Sequence, residues 1–258
     1  MASAVINALG HHMARVDTVQ LIAHPGHGIR AGGSLSDIDF EALIDGLTRL
    51  KFDAQIDAVM TGYIGQSSQI STLAKHLSEL HQHRPDISIM VDPAIGDHGR
   101  LYVDDAIAEG IEKKLIPLAH VITPNAYEFS RLTGLSSLNG TEVHDKAKHL
   151  LDIYPHLKGM AITGCIESDM VRDFWIDRHD MISHEAPRLA HNTRGMAGGG
   201  DLFAAVMMGR HLSGADWRHA FDDAARLSRQ IINSADMSGT IDIDLKMVTD
   251  GLKKVLNR

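Results

Sequence analysis

The chain has 258 residues, of which 44% are hydrophobic and 22% charged, and its formal net charge is −8. That length is enough for one large domain, spanning residues 1–258, with a substantial buried core. The acidic balance argues against a nucleic-acid or anionic-membrane partner, and neither a bilayer-spanning apolar run nor a signal-peptide pattern occurs. The single cysteine, Cys165, rules out an internal disulfide and predicts a cytoplasmic, reducing compartment. The 17 histidines lack metal-ligand spacing, so no transition-metal site is predicted.

Hydrophobic periodicity predicts helices and strands that alternate along most of the chain. The predicted helices lie at residues 4–13, 37–50, 67–81, 104–115, 126–133, 141–151, 202–212, 216–233 and 245–256. The predicted strands lie at 18–22, 58–61, 87–91, 120–123 and 160–163, followed by a hairpin of 171–176 and 181–184. Residues 24–36, with Pro25 and four glycines, are predicted to be a loop or flap. This order predicts an α/β fold with a mostly parallel central sheet, flanked by helices on both faces, and a late β-hairpin.

The segment 191–205 carries the strongest local signal for a ligand site. Three consecutive glycines, at 198–200, precede Asp201 and an apolar helix. Glycines let a ligand approach the backbone, and the first N–H groups of a helix lack partners within it, so this helix start predicts an anion cradle. A carboxylate beside such a cradle is explained if Asp201 is a base acting on the group that attacks a phosphate. The alternative is that Asp201 only caps the helix.

Polar residues follow several of the predicted strands. They are Tyr63, Asp92, Asn125, Glu128 and Thr163, joined by Asp97 and Asp201. Because ligands bind at the carboxyl ends of parallel strands, these residues are expected to line one site. Their oxygen donors, next to an anion cradle, suit Mg²⁺ carrying a polyphosphate. The alternative for Asp92 and Asn125 is that they are turn residues beside prolines.

Five motifs give the chain a resemblance to the pyridoxal kinases, a branch of the ribokinase superfamily. They are T-G-Y at 61–63, V-D-P-A-I-G-D-H-G at 91–99, L-Y-V at 101–103, I-T-P-N-A-Y-E at 122–128 and G-G-G-D-L-F-A-A at 198–205. The resemblance implies a ribokinase-like fold and ATP-dependent phosphorylation of the 5′-hydroxyl of pyridoxal in vitamin B6 salvage. Pyridoxine and pyridoxamine are further candidate substrates. A homodimer, Mg²⁺ and, as an additional candidate cation, K⁺ are also implied.

The resemblance implies roles for individual residues. Asp201 matches the general base, and Gly198, Gly199 and Gly200 match the anion hole for the transferring phosphoryl group. The positions that match ATP-binding residues are Asp92, Asp97, Tyr102, Thr123, Asn125, Glu128, Thr163 and Arg188. Three of these, Asp92, Asn125 and Glu128, also match the surroundings of Mg²⁺, partly through water. The positions that match the pyridoxal side are Tyr63, Pro25, Gly26 and Asp201.

Three features depart from the family pattern. The first strand of the family fold is missing, because Met1 leads directly into the first helix, and we expect the natural start to lie upstream. Ala-His-Pro stands at 23–25 where the family has Asn-His-Thr, which removes a hydroxyl. Gly199 stands where threonine is common, and it keeps the backbone amide of the anion hole.

Other functions remain open at this stage. A hydroxymethylpyrimidine kinase shares the fold, although that branch carries a cysteine at the position of Asp201. A non-catalytic vitamin-binding protein is the alternative that the missing strand and Pro25 support. A nicotinamide dehydrogenase fits poorly, because its glycine motif should follow the first strand and precede an acidic residue by about 20 positions.

Overall fold

A six-stranded mixed sheet organises the fold in a computed structural model, which describes residues 1–22, 31–135, 138–188, 198–238, 243 and 245–256. The strands are β1 (Val19–Leu21), β2 (Gly32–Ser34), β3 (Ala58–Thr61), β4 (Ser88–Val91), β5 (Gly96–Asp97), β6 (Arg100–Leu101), β7 (Val121–Ile122), β8 (Gly159–Glu167), β9 (Met170–Asp177) and β10 (Met181–Pro187). The sheet has the order β10-β9-β8-β7-β4-β3. Strands β3, β4, β7 and β8 are parallel, whereas β9 and β10 are antiparallel. The predicted mostly parallel sheet with a late hairpin is therefore confirmed.

Helices cover both faces of this sheet. They are α1 (Ala2–Ala8), α2 (Asp37–Arg49), α3 (Ser67–His83), α4 (Asp105–Gly110), α5 (Ala126–Thr133), α6 (Gly140–Ile153), α7 (Gly199–Leu212), α8 (Trp217–Ser238) and α9 (Leu245–Leu256). Strand β4 shows why three of its four residues are apolar. Ile89 and Val91 join the core formed with α3 to α6, while Met90 joins the core formed with α1 and α7 to α9. A strand buried on both faces favours consecutive apolar residues instead of an alternating pattern.

Helix α7 runs through the second of these cores. Eight of its residues, Leu202–Gly209, are buried, so it is apolar on almost every side. Packing on all sides fixes the helix, and with it the glycines and the aspartate at its start. No helix in the described part of the chain is both long enough and apolar enough to cross a membrane.

Several predicted boundaries are wrong. The first helix ends at Ala8 instead of residue 13, because Gly10 takes a left-handed conformation (φ +88°) after it. The flap predicted at 24–36 contains strand β2, which pairs with β1. The backbones approach closely there: a Cβ on Gly32 would lie 1.9 Å from the Gln20 carbonyl oxygen, so only glycine fits. Pro25 and Gly26, in the same flap, lie outside the described residues.

Two other local structures differ from the prediction. The helix predicted at 104–115 is α-helical only to Gly110 and continues as the π-turn Ile111–Leu115. Strands β5 and β6 form a small hairpin that begins within the motif at 91–99, where no strand was predicted. That hairpin shapes the candidate site described below.

The chain begins with α1, without a preceding strand, and β3 pairs with β4 alone among the described residues. The β1–β2 hairpin packs near the end of β3. Thr18 Oγ1 donates to the Tyr63 carbonyl at 2.7 Å. Gln69, which is 1% exposed, donates to the carbonyls of Thr18 (2.9 Å) and Leu35 (3.1 Å). These contacts hold Tyr63 at the same edge of the sheet as the residues that follow β4 and β7.

Candidate active site

The carboxyl ends of the parallel strands converge on the start of helix α7. A Cβ built on Gly200, in the first turn of α7, would lie 3.9 Å from Asp92 Oδ2, just after β4. A Cβ built on Gly62, just after β3, would lie 3.9 Å from Asp201 Oδ1. Two carboxylates from distant parts of the sequence are thus brought to one place, at the edge where an α/β sheet binds ligands.

The start of α7 has the geometry of an anion cradle. Gly198 is the N-cap, with φ +85°, a left-handed conformation that a side chain would strain, and no side chain among the described residues caps the helix. The N–H groups of the first turn are therefore left for other acceptors, and the helix dipole favours an anion there. Asp201, within this turn, is exposed, so its carboxylate is accessible to a substrate.

Glu128 holds the loop that follows Asp92. Its Oε1 accepts the N–H groups of Ile95 (2.8 Å) and Gly96 (3.4 Å), and its Oε2 accepts that of Asn125 (2.9 Å). The loop includes Ala94 at φ +45°, a sparsely populated conformation for a residue with a side chain. Glu128 itself is 1% exposed, so it connects this strained loop to helix α5 from inside the protein.

Asn125 completes the same network. Its Oδ1 accepts the N–H of Glu128 at 3.0 Å, which makes a capping box at the start of α5. Its Nδ2 donates to the Gly96 carbonyl at 2.8 Å. Both polar ends of the Asn125 side chain are therefore engaged in positioning α5 against the β5–β6 hairpin.

Three carboxylates repel one another at this edge. Burial raises the pKa of Asp92 well above its usual range, and the charges of Glu128 and Asp201 raise it further. Burial also raises the pKa of Glu128 to about 7. Asp92 is 8% exposed, and no basic side chain in the described residues pairs with Asp92 or Glu128. A bound cation would relieve this repulsion and favour the ionised carboxylates, so the site suits a cation.

The remaining predicted residues fall at varying distances from this cluster. The Tyr63 and Tyr102 rings are 6.2 Å apart. Partial burial, followed by the charges of neighbouring carboxylates, raises the pKa of the Tyr102 hydroxyl above its usual range. Asp97 is one of those carboxylates, and its Oδ1 accepts the N–H of His98 at 2.7 Å. Thr123 is buried directly after β7.

Thr163 lies at a bulge in β8. Its N–H donates to the Pro124 carbonyl at 3.0 Å, and it forms a β-bridge with Asn125. Arg188 is exposed after β10, and its N–H donates to the Asp169 carbonyl at 2.8 Å. No contact in the described residues joins Arg188 to the carboxylate cluster.

The sequence patterns did not indicate two residues close to this bulge, Asp173 on β9 and Arg229 on α8. They pair with each other, and Asp173 accepts the N–H of Gly164. Both line a cavity of about 430 Å³ between the hairpin β9–β10 and helix α8. The available signal was the charged pair Arg172 and Asp173 inside the predicted strand 171–176, whose other residues are apolar.

The donor set fits Mg²⁺ held mainly through water. Among the described residues no three acidic, histidine or cysteine side chains lie close enough to form a complete metal site. The side chains of Asn125 and Glu128 are occupied by backbone hydrogen bonds, which leaves Asp92 as the best-placed direct ligand. Mg²⁺ keeps several waters and needs only one or two carboxylates, so this set is sufficient when phosphates are also present.

We expect Mg²⁺ to stabilise the protein more at about pH 8 than at about pH 5. The raised pKa values of Asp92 and Glu128 mean that their contribution to stability is complete below the unfolded-state values of 3.8 and 4.5. It is lost as the pH rises through the higher folded-state values, and a divalent cation should offset that loss. Melting temperatures with Mg²⁺ and with KCl of equal ionic strength test this, and we expect a gain of about 5 °C at the higher pH.

The variant Asp92→Asn serves as the control for this measurement. It removes one charge from the cluster, so both the Mg²⁺ effect and its dependence on pH should shrink. Equal stabilisation by Mg²⁺ at the two pH values, or an unchanged response in the variant, would show that the cation binds elsewhere.

Comparison with known proteins gives matches over most of the chain. The sequence model described as phosphomethylpyrimidine kinase matches residues 30–243. A pyridoxine/pyridoxal/pyridoxamine kinase of Bordetella avium is 29% identical over 230 residues, which cover 88% of this chain and 76% of that protein. The five motifs, at residues 61–205, thus lie within a similarity that extends over most of the sequence.

Solved structures match the fold closely. The crystal structure of pyridoxal kinase from Entamoeba histolytica superposes with a TM-score of 0.89 at 22% identity, covering 97% of this chain and 88% of that one. Pyridoxal kinase from Leishmania donovani, in complex with ADP and pyridoxamine, superposes with a TM-score of 0.87 at 22% identity, covering 98% and 89%. At these identities the superpositions establish the ribokinase-like fold.

Proposed function

We propose that this chain phosphorylates the 5′-hydroxyl of pyridoxal with ATP. The chain belongs to the phosphomethylpyrimidine kinase family, the group of the ribokinase superfamily that includes pyridoxal kinases. One observation carries the proposal: Asp201 is exposed in the first turn of α7, beside an N-terminus that no side chain of the described ranges caps, and it shares its site with Asp92. Such a site offers a base and an anion cradle within one turn of helix.

In the proposed reaction Asp201 accepts the proton of the 5′-hydroxyl as the hydroxyl oxygen attacks the γ-phosphorus of ATP. The bond from that phosphorus to the bridging oxygen of ADP breaks, and ADP leaves with the bonding electrons. The N–H groups of residues 198–200 donate to the oxygens of the transferring phosphoryl group. Bound Mg²⁺ would neutralise phosphate charge near Asp92. Positioning and charge stabilisation account for most catalysis of phosphoryl transfer, so this small set of groups is sufficient.

The nucleotide and the vitamin are assigned to opposite sides of Asp201. We assign ATP to the side of Thr163, Asn125 and Thr123, and the pyridine ring to the side of Tyr63. The complex of the Leishmania donovani relative with ADP and pyridoxamine supports a site that takes both ligands at once. Pyridoxine and pyridoxamine as substrates, homodimer formation and a cytoplasmic location stay predictions.

A hydroxymethylpyrimidine is the second candidate substrate, because the matching family description names phosphomethylpyrimidine kinase. Asp201 favours pyridoxal as the substrate, since the pyrimidine branch is expected to carry a cysteine at that position. Competition between the two compounds for the same phosphoryl donor would separate these substrates.

The chain should form pyridoxal 5′-phosphate from pyridoxal in the presence of ATP and Mg²⁺. Product absorbance and ADP release should rise together with one-to-one stoichiometry, and omission of Mg²⁺ should abolish both. Turnover with hydroxymethylpyrimidine and not with pyridoxal would favour the second candidate. Binding of pyridoxal without any ADP release would favour a non-catalytic vitamin-binding protein.

A further inference from the structure

A partly buried ion pair joins helix α8 to strand β9, away from the carboxylate cluster. Arg229 Nη2 donates to Asp173 Oδ2 at 2.9 Å. The Asp173 side chain is 8% exposed and that of Arg229 is 22% exposed. Replacing a buried ion pair by apolar residues of similar size is often neutral or stabilising. This pair is therefore a candidate for a role other than core packing.

Asp173 fixes the bulge in β8. Its Oδ1 accepts the N–H of Gly164 at 2.8 Å, and Gly164 has φ +73°. The register between β8 and β9 shifts at this point, between Ile162 and Cys165. Burial, followed by the charge of Asp173, raises the pKa of Cys165 to about 12. Without Asp173 the N–H of Gly164, an exposed residue at this bulge, would lose the side-chain acceptor that orients it.

The bulge and helix α8 both reach the candidate site. Thr163, next to Gly164, is bridged to Asn125 and thus belongs to the proposed nucleotide side. Ile232, one turn after Arg229 on α8, has its Cδ1 3.7 Å from the position of a Cβ on Gly199. Arg229 therefore connects the Thr163 bulge to the helix that packs against the glycines of the anion cradle.

We propose that Asp173 and Arg229 are positioning residues that set the Thr163–Gly164 bulge for nucleotide binding. Arg229 acts through Asp173, and Asp173 acts through the N–H of Gly164. The inference rests on the proposed function, because it takes the Thr163 side as the nucleotide side. A pair with only a structural role would lower the melting temperature and leave nucleotide affinity unchanged.

The test compares three variants by the dissociation constant for ADP with Mg²⁺, measured by calorimetry without pyridoxal. Arg229→Met removes the charge and keeps the length, and should weaken ADP binding about tenfold. Asp173→Asn keeps an oxygen for Gly164 and should weaken binding less, about threefold. Arg218→Met is the matched control, because Arg218 joins the same helix to Asp180 at the exposed end of the hairpin, with N···O 2.6 Å. It should leave affinity within about twofold.

Turnover adds a second readout that a purely structural role would not move. In Arg229→Met the KM for ATP should rise more than kcat falls, and Arg229→Lys should restore part of the loss. Unchanged ADP affinity in Arg229→Met would overturn this inference alone, whereas a wild-type chain that binds no ADP would overturn the proposed function as well. If Arg229→Met does not fold, unchanged affinity in both Asp173→Asn and Arg229→Lys would also overturn the inference.

Discussion

Replacement of Asp201 by asparagine should lower the rate of pyridoxal phosphorylation about 1,000-fold, while ADP binding changes by less than about threefold. Asparagine has the same shape as aspartate but cannot accept the proton of the 5′-hydroxyl. The side chain is exposed in the first turn of α7, so the substitution should not disturb the buried residues that hold the helix. Loss of a negative charge near a helix N-terminus should cost only about 0.5 kcal/mol of stability.

Steady-state kinetics and ADP calorimetry on the same preparations provide the measurement. The matched control is Asp45→Asn, which removes an exposed carboxylate from helix α2 and should leave kcat unchanged. A variant at Asp201 that keeps the wild-type rate would show that another group is the base. A large fall in melting temperature together with the rate would indicate that Asp201 supports the helix start instead.

The hydrophobic pattern of the sequence predicts the central strands and helices, because the spacing of apolar residues along each one follows which of its sides are buried. The run Ile-Ser-Ile-Met-Val at 87–91 predicts a strand buried on both faces, and β4 is buried throughout. The strand Ala58–Thr61 and the helix Ala126–Thr133 have the predicted bounds. In each case neighbouring residues along the chain carry enough information to define the element.

The elements that were missed depend on partners that local sequence does not show. Strand β2 consists of Gly-Gly-Ser, a composition typical of loops, and forms because its backbone pairs with β1. Helix α4 changes to a π-turn after Gly110, where a Cβ would lie 2.9 Å from Ile70 Cδ1 on helix α3. Tertiary packing against α3 therefore overrides an apolar pattern that favours a continuous α-helix.

The candidate site likewise contains some contacts that local sequence predicts and others that it does not. The Asn-Ala-Tyr-Glu pattern at 125–128 has the spacing of a capping box, and Glu128 could have been assigned that role from sequence. Its reach to the N–H of Ile95, 33 positions away, could not be predicted. The pair Arg229 and Asp173 is separated by 56 positions, and only the packing of α8 on the sheet brings it together.

Replacement of Glu128 by alanine should lower the free energy of unfolding by about 2–4 kcal/mol, equivalent to a fall in melting temperature of about 5–15 °C. Alanine leaves the N–H groups of Ile95, Gly96 and Asn125 without their acceptor in a buried place. The loop that carries Asp92 would then be free to relax from its strained conformation at Ala94. Turnover should fall with the ordering of that loop, even though Glu128 contacts no substrate in the proposed mechanism.

Glu128→Gln separates the hydrogen bonds from the charge, because glutamine keeps one acceptor oxygen and is always neutral. Burial raises the pKa of Glu128 to about 7 from 4.5, so the carboxyl stabilises the fold fully below about pH 4.5 and loses that contribution as the pH rises through 7. The difference in melting temperature between wild type and Glu128→Gln should therefore shrink from about pH 5 to about pH 8. A difference that widens instead would mean that hydrogen bonds to the ionised carboxylate outweigh its burial and its repulsion from Asp92.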